Sequence, residues 1–149
     1  YNHIFYLADK DFAMVINLLT DENAVVRKKA FDIAVDFFKI YTSEEILKTV
    51  EKAKNLAKQT DPNIVAEGLF LMMALILSHP YENESWTEEL LIILLKKYKT
   101  IKIVKDDFRE FAEKYWDTHK GHANLNNISL SPDTYYELRE ISSSHSYFV

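Results

Sequence analysis

The three residues that close the chain, Tyr147, Phe148 and Val149, have the side-chain types most suited to a specific contact. Two aromatic rings and a small apolar residue are costly to leave in water. A terminal carboxylate beside them is an anion that a fixed cation can capture. Together these are the parts of a plug for a pocket on another protein. The stretch before them, Ser142-Ser143-Ser144-His145, has the composition of a tether with no reason to fold.

Other chemistry is weaker. The chain has five histidines and no cysteine, so thiol chemistry and disulfides are excluded. His119 and His122 lie three apart, but Gly121 between them reads as the end of a helix, His145 is far along the chain, and no Cys is nearby. Neither a Gly-rich phosphate loop nor a nucleophile elbow occurs, which argues against an enzyme. Lys96, Lys97, Lys99, Lys102 and Lys105 gather around one predicted helix end, where cations complement the helix dipole and a solvated face explains them. The formal net charge of −5 argues against a nucleic-acid partner.

The elements that must position these residues are helical. Apolar residues make up 48% and charged residues 28%, a globular balance, while two Gly and three Pro leave little material for tight β-turns. Val26, Ala30, Ile33, Ala34, Phe37, Phe38 and Tyr41 fall in three- and four-residue steps, as do Ile46, Leu47, Val50, Ala53, Leu56 and Ala57. Thr42 with Glu45, and Ser85 with Glu88, fit capping boxes. Asp61-Pro62 and Ser131-Pro132 each put a capping residue before a proline at the first helical position. The spacing predicts helices over 8–19, 24–41, 44–58, 62–78, 86–98, 103–120 and 132–141. Between Pro62 and Pro80 the run 64–77 is apolar on all sides yet shorter than the roughly 18 residues of a membrane span, so it reads as a buried helix.

Short loops make consecutive helices antiparallel hairpins, and three pairs at a period of about 40 residues point to an α-solenoid. The segment Leu18-Leu19-Thr20-Asp21-Glu22-Asn23-Ala24-Val25-Val26-Arg27 resembles a HEAT repeat. On that reading Asp21 caps the second helix of the pair, Arg27 reaches acidic groups of a neighbouring repeat, and Ala30 allows close approach. The fold class expected is all-α: HEAT-like hairpins over 1–120, then a linker, short helix and docking tail over 121–149. Because the chain opens with Tyr1, it is expected to be part of a longer solenoid whose upstream repeats stack on the first pair.

Three stretches resemble the C-terminal end of the giant single-chain, ATP-independent proteasome activators. They are Ala66-Glu67-Gly68-Leu69 running into His79-Pro80-Tyr81 and Trp86; Phe108 followed by Trp116-Asp117-Thr118-His119-Lys120; and Leu130 to Leu138 followed by the serine-rich link and terminal aromatics. The resemblance covers roughly 60–149. It departs at the last residues, where the family usually has Tyr-Tyr-Ala, and around 123–127, where residues look inserted.

The resemblance implies a non-catalytic regulator, nuclear and cytoplasmic, that caps the proteasome core particle. Its tail would enter a pocket between α-ring subunits and promote gate opening. Val149 would supply the carboxylate, Phe148 the penultimate aromatic and Tyr147 the position before it. No cofactor is expected, although the resemblance allows an inositol phosphate on Lys96, Lys97 and Lys99. It also allows acetyl-lysine, as on acetylated histones, to be read by an Asn amide. Asn17, Asn23 and Asn63 are available, with Asn23 the candidate. A generic HEAT-repeat interaction scaffold is the alternative function. The aromatic stripes Phe37-Phe38-Tyr41 and Phe108-Phe111-Tyr115 read as packing. Trp116 is expected to lock the terminal helix, and only one of Tyr135 and Tyr136 can face the core.

Overall fold

A computed structural model describes residues 9–79, 85–123 and 131–143. These form seven α-helices: α1 (Asp9–Leu18), α2 (Ala24–Phe38), α3 (Ser43–Ala57), α4 (Pro62–Ser78), α5 (Thr87–Lys97), α6 (Lys102–Ala123) and α7 (Pro132–Ser143), with a single 3-10 turn at Tyr98–Thr100. No strand occurs among the described residues, so the protein is all-α as its periodicity predicts. Two compact units divide at Ser78 and His79.

The first unit is two helical hairpins, α1–α2 and α3–α4, with α4 packed on both α3 and α2. Each start signal is local. Asn23 caps α2, its side-chain oxygen accepting from the Val25 and Val26 amides. This corrects the expectation for Asp21, whose carboxylate accepts from the Asn23 amide at 2.9 Å instead. The residue nearer the first turn reaches its free N–H groups, and the more distant one orders the loop. Arg27 also serves this turn. It is buried, and its guanidinium donates to the carbonyls of Asp21 and Glu22 at 2.8 and 3.1 Å, tying down the turn that precedes its own helix. The Thr42–Glu45 capping box forms in full, and Asp61 accepts from the Asn63 amide ahead of α4. Helix α2 ends at Phe38, three residues before its apolar stripe does. The Tyr41 amide donates to the Phe38 carbonyl, and the Tyr41 ring folds back to within 5.2 Å of the Phe38 ring.

Helix α4 is buried nearly all round, from Val65 to Ser78 with few interruptions. Its closest approach to α3 is at Gly68. A Cβ there would lie 2.8 Å from the Ala53 carbonyl oxygen and 2.9 Å from the Ala57 nitrogen. Ala53 and Ala57 are themselves buried, so small residues on both helices set the spacing of the hairpin.

In the second unit α6 is the spine. Phe108 stacks on Tyr98 with ring centroids 4.2 Å apart, Phe111 packs beside Phe108, and Leu90, Leu91, Leu94 and Val104 complete a buried core. Helix α6 continues through Gly121 to Ala123, so Gly121 is not the helix end expected from its type. A glycine inside a helix costs only about 1 kcal/mol relative to alanine and does not impose a left-handed turn. Both His119 and His122 therefore belong to α6, and their side chains lie outside the described residues. No described helix is long and apolar enough to cross a membrane.

Candidate functional site

Helix α7 leads directly into the terminal stretch, and the second unit fixes it at both ends of its buried face. Ser131 supplies a cap: its hydroxyl accepts from the Thr134 amide and shares a 3.0 Å hydrogen bond with the Thr134 hydroxyl. The Ser131 amide donates to the carboxylate of Glu88, which stands in the first turn of α5. Glu88 is thus not half of a capping box with Ser85. The residue at the start of α5 is Trp86, which makes no side-chain cap bond, and the Glu88 carboxylate serves the other helix. Further along α7, Leu138 is buried and Tyr135 meets Trp116 edge to face at 5.0 Å, while Tyr136 is 64% exposed. Trp116 does lock the terminal helix, and the two adjacent tyrosines divide as helical geometry requires.

Tyr115 lies beside this junction. Burial pushes its phenol well above the usual tyrosine range, and the negative charge of Glu88 adds to the shift. The Tyr115 phenol is therefore neutral at any physiological pH. Helix α7 runs on to Ser143, and the Ser142 hydroxyl donates to the Arg139 carbonyl at 3.0 Å. The first two serines of the expected tether are therefore helical. Tyr147, Phe148 and Val149 lie outside the described residues.

The remaining sequence candidates are dispersed. Asn23 is exposed, and its amide oxygen is engaged by the start of α2, so it does not form the base of an apolar pocket. Lys96 and Lys97 occupy the last turn of α5. Lys99 leans over the Tyr98 ring at 5.8 Å, and Lys102 pairs with Asp106 at 3.0 Å. The positions of Lys96 and Lys97 suit the helix dipole, and Lys99 and Lys102 each have a local partner. Among the described residues no group of three or more His, Asp or Glu is placed to hold a metal ion.

One concavity was not foreseen. In the first unit a cavity of about 350 Å³ is lined by Phe12, Phe37, Phe38 and Tyr41, with Lys52 and Glu67 also on its wall. Asn17 lines it too. The rings contact one another: Phe12 stacks on Phe37 at 4.1 Å and meets Phe38 and Tyr41 edge-on. Glu67, a lone carboxylate in the most apolar helix, is the sequence signal that could have pointed here.

A protein of helical hairpins that ends in a capped helix is all-α in class. The family described as proteasome activator complex subunit 4-like, C-terminal, matches residues 64–149, more than half of the chain, and the chain belongs to that family. It is a family of regulators rather than catalysts, and its name implies the proteasome core particle as partner. No curated protein and no solved structure shows significant similarity to the chain.

Proposed function

We propose that this segment docks a proteasome activator onto the core particle, with Tyr147, Phe148 and Val149 entering a pocket between α-ring subunits and favouring gate opening. The observation that carries this reading is the family match, which extends from residue 64 in the buried helix α4 to residue 149. The arrangement of α7 supports it: a helix held by Glu88 at its start and Trp116 along its face gives the residues after Ser143 a fixed point of departure.

Magnitudes define how the tail would act. Burying Phe148 is worth about 1.5 to 3 kcal/mol, and a charge-assisted bond to a terminal carboxylate about 1.5 to 3 more. Association costs at least about 4 kcal/mol in lost freedom. A free tail peptide is therefore a weak ligand, and the scaffold raises its local concentration. The test is to delete Tyr147 to Val149 from the full-length activator and measure core-particle association and peptide hydrolysis. Loss of both is expected. Unchanged association and activation would leave a helical interaction scaffold as the better reading.

A further inference from the structure

We propose that the cavity of the first unit is a binding site for an alkylammonium group, such as the methylated ammonium of a lysine side chain. The proposal goes beyond the docking function and does not depend on it, since most of the lining comes from α1, α2 and α3, ahead of the family-matched segment.

Three observations favour a cation. First, the wall is aromatic. Phe12, Phe37, Phe38 and Tyr41 line one cavity, and the negative faces of such rings attract alkylammonium groups through the ring quadrupole. Second, the aromatic wall is already assembled. Phe37 and Tyr41 meet at 5.5 Å, Phe38 and Tyr41 at 5.2 Å, and Phe12 closes the cluster, so little ordering is needed on binding. Third, the cavity holds an anion. Glu67 is half-buried on its wall, and among the described residues no hydrogen bond or ion pair engages its carboxylate. A carboxylate beside aromatic faces is complementary to a soft cation and disfavours an anionic occupant.

Lys52 lines the same cavity and opposes this charge preference, but it is exposed, so its field is screened by solvent and salt. It therefore supplies a test of opposite sign. Asn17 marks the competing chemistry, because its amide could donate to an acyl oxygen and hold a neutral acetylated lysine instead.

The experiment titrates the 149-residue chain, followed by NMR, with Nε-trimethyl-lysine carboxamide, its neutral tert-butyl isostere, acetyl-lysine carboxamide and tetramethylammonium chloride. The trimethyl cation is expected to bind about ten-fold more tightly than the neutral isostere. Glu67→Gln should weaken it about five-fold, and Lys52→Gln should tighten it about two-fold, with unchanged thermal melts for both variants. Equal binding of cation and isostere would overturn the proposal by showing an apolar slot. Tighter binding of acetyl-lysine would overturn it in favour of an amide reader at Asn17. Absence of any shift at tens of millimolar would overturn it outright. None of these outcomes bears on the terminal tail, whose deletion is read by proteasome activation.

Discussion

Glu88 and Ser131, 43 residues apart in the chain, are joined by a hydrogen bond from the Ser131 amide to the Glu88 carboxylate. A side chain in the first turn of α5 thereby completes the start of α7. The free N–H groups and positive dipole end of a helix make an anion the favoured partner there.

Replacing Glu88 by alanine should therefore destabilise the second unit by about 1 kcal/mol, the usual worth of a helix cap. Glu88→Gln should retain part of this, since its amide oxygen still accepts. Urea unfolding gives the magnitude, and faster amide exchange confined to α7 gives the location. Uniform exchange change along α6 and α7 would contradict a local cap.

Tyr115 confers a pH dependence of definite sign. Its pKa is raised in the folded protein by burial first and by Glu88 second, so the native state favours the neutral phenol. The stability this contributes is complete below the unfolded value of about 10 and is lost as pH rises above it, by up to about 1.4 kcal/mol per pH unit. Lysines titrate in the same range, so the comparison is with Tyr115→Phe. The wild-type chain should lose stability more steeply than the variant between pH 10 and 11, by about 1 kcal/mol. Parallel curves in denaturant melts would dismiss the assignment.

Gly68→Ala isolates the close approach of α3 and α4. Alanine is the better helix former by about 1 kcal/mol. Here its Cβ would meet the Ala53 carbonyl oxygen at 2.8 Å, which is backbone and cannot step aside. Overpacking of this kind costs about 1 to 3 kcal/mol, so net destabilisation is expected. A raised melting temperature would show that the hairpin separates freely.

At the α1–α2 turn the prediction is an ordering. Asn23→Ala removes the acceptor for two amides at the start of α2 and should cost about 1 kcal/mol. Asp21→Ala removes one exposed loop contact and should cost less than half as much. The reverse order in thermal melts would reinstate Asp21 as the cap.

Phe148 differs from tyrosine by one hydroxyl. If the proposed α-ring pocket holds a buried partner for that group, its loss leaves the partner unsatisfied at a cost of about 1 to 3 kcal/mol. Phe148→Tyr in the full-length activator is then expected to raise peptide hydrolysis by the capped core particle. An unchanged rate would remove the hydroxyl from the account while leaving docking intact.

Much of this architecture was written locally. Helix α4 could be read because Pro62 opens it, Asp61 caps it, and its apolar run needs burial on every side. The Thr42–Glu45 box and the Ser131-Pro132 start could be read because each involves residues within four positions of one another. The division of Tyr135 from Tyr136 follows from helical geometry alone. Local rules misled where two of them competed. Asp21 and Asn23 are both good caps, and only the backbone path decides which reaches the first amides. Gly121 could end a helix, yet it also tolerates one, and the continuation of α6 to Ala123 settles the outcome.

What the sequence determined by itself is what periodicity and short-range hydrogen bonding can encode: an all-helical chain, the start of most helices, and the apolar faces that must be covered. Only the tertiary structure joined Glu88 to Ser131, pressed Gly68 against α3, and gathered Phe12, Phe37, Tyr41 and Glu67 from three helices and a turn around one cavity. Those relationships depend on how helices approach in space, and chain order carries no distance information beyond the few residues that a helix turn or loop can span.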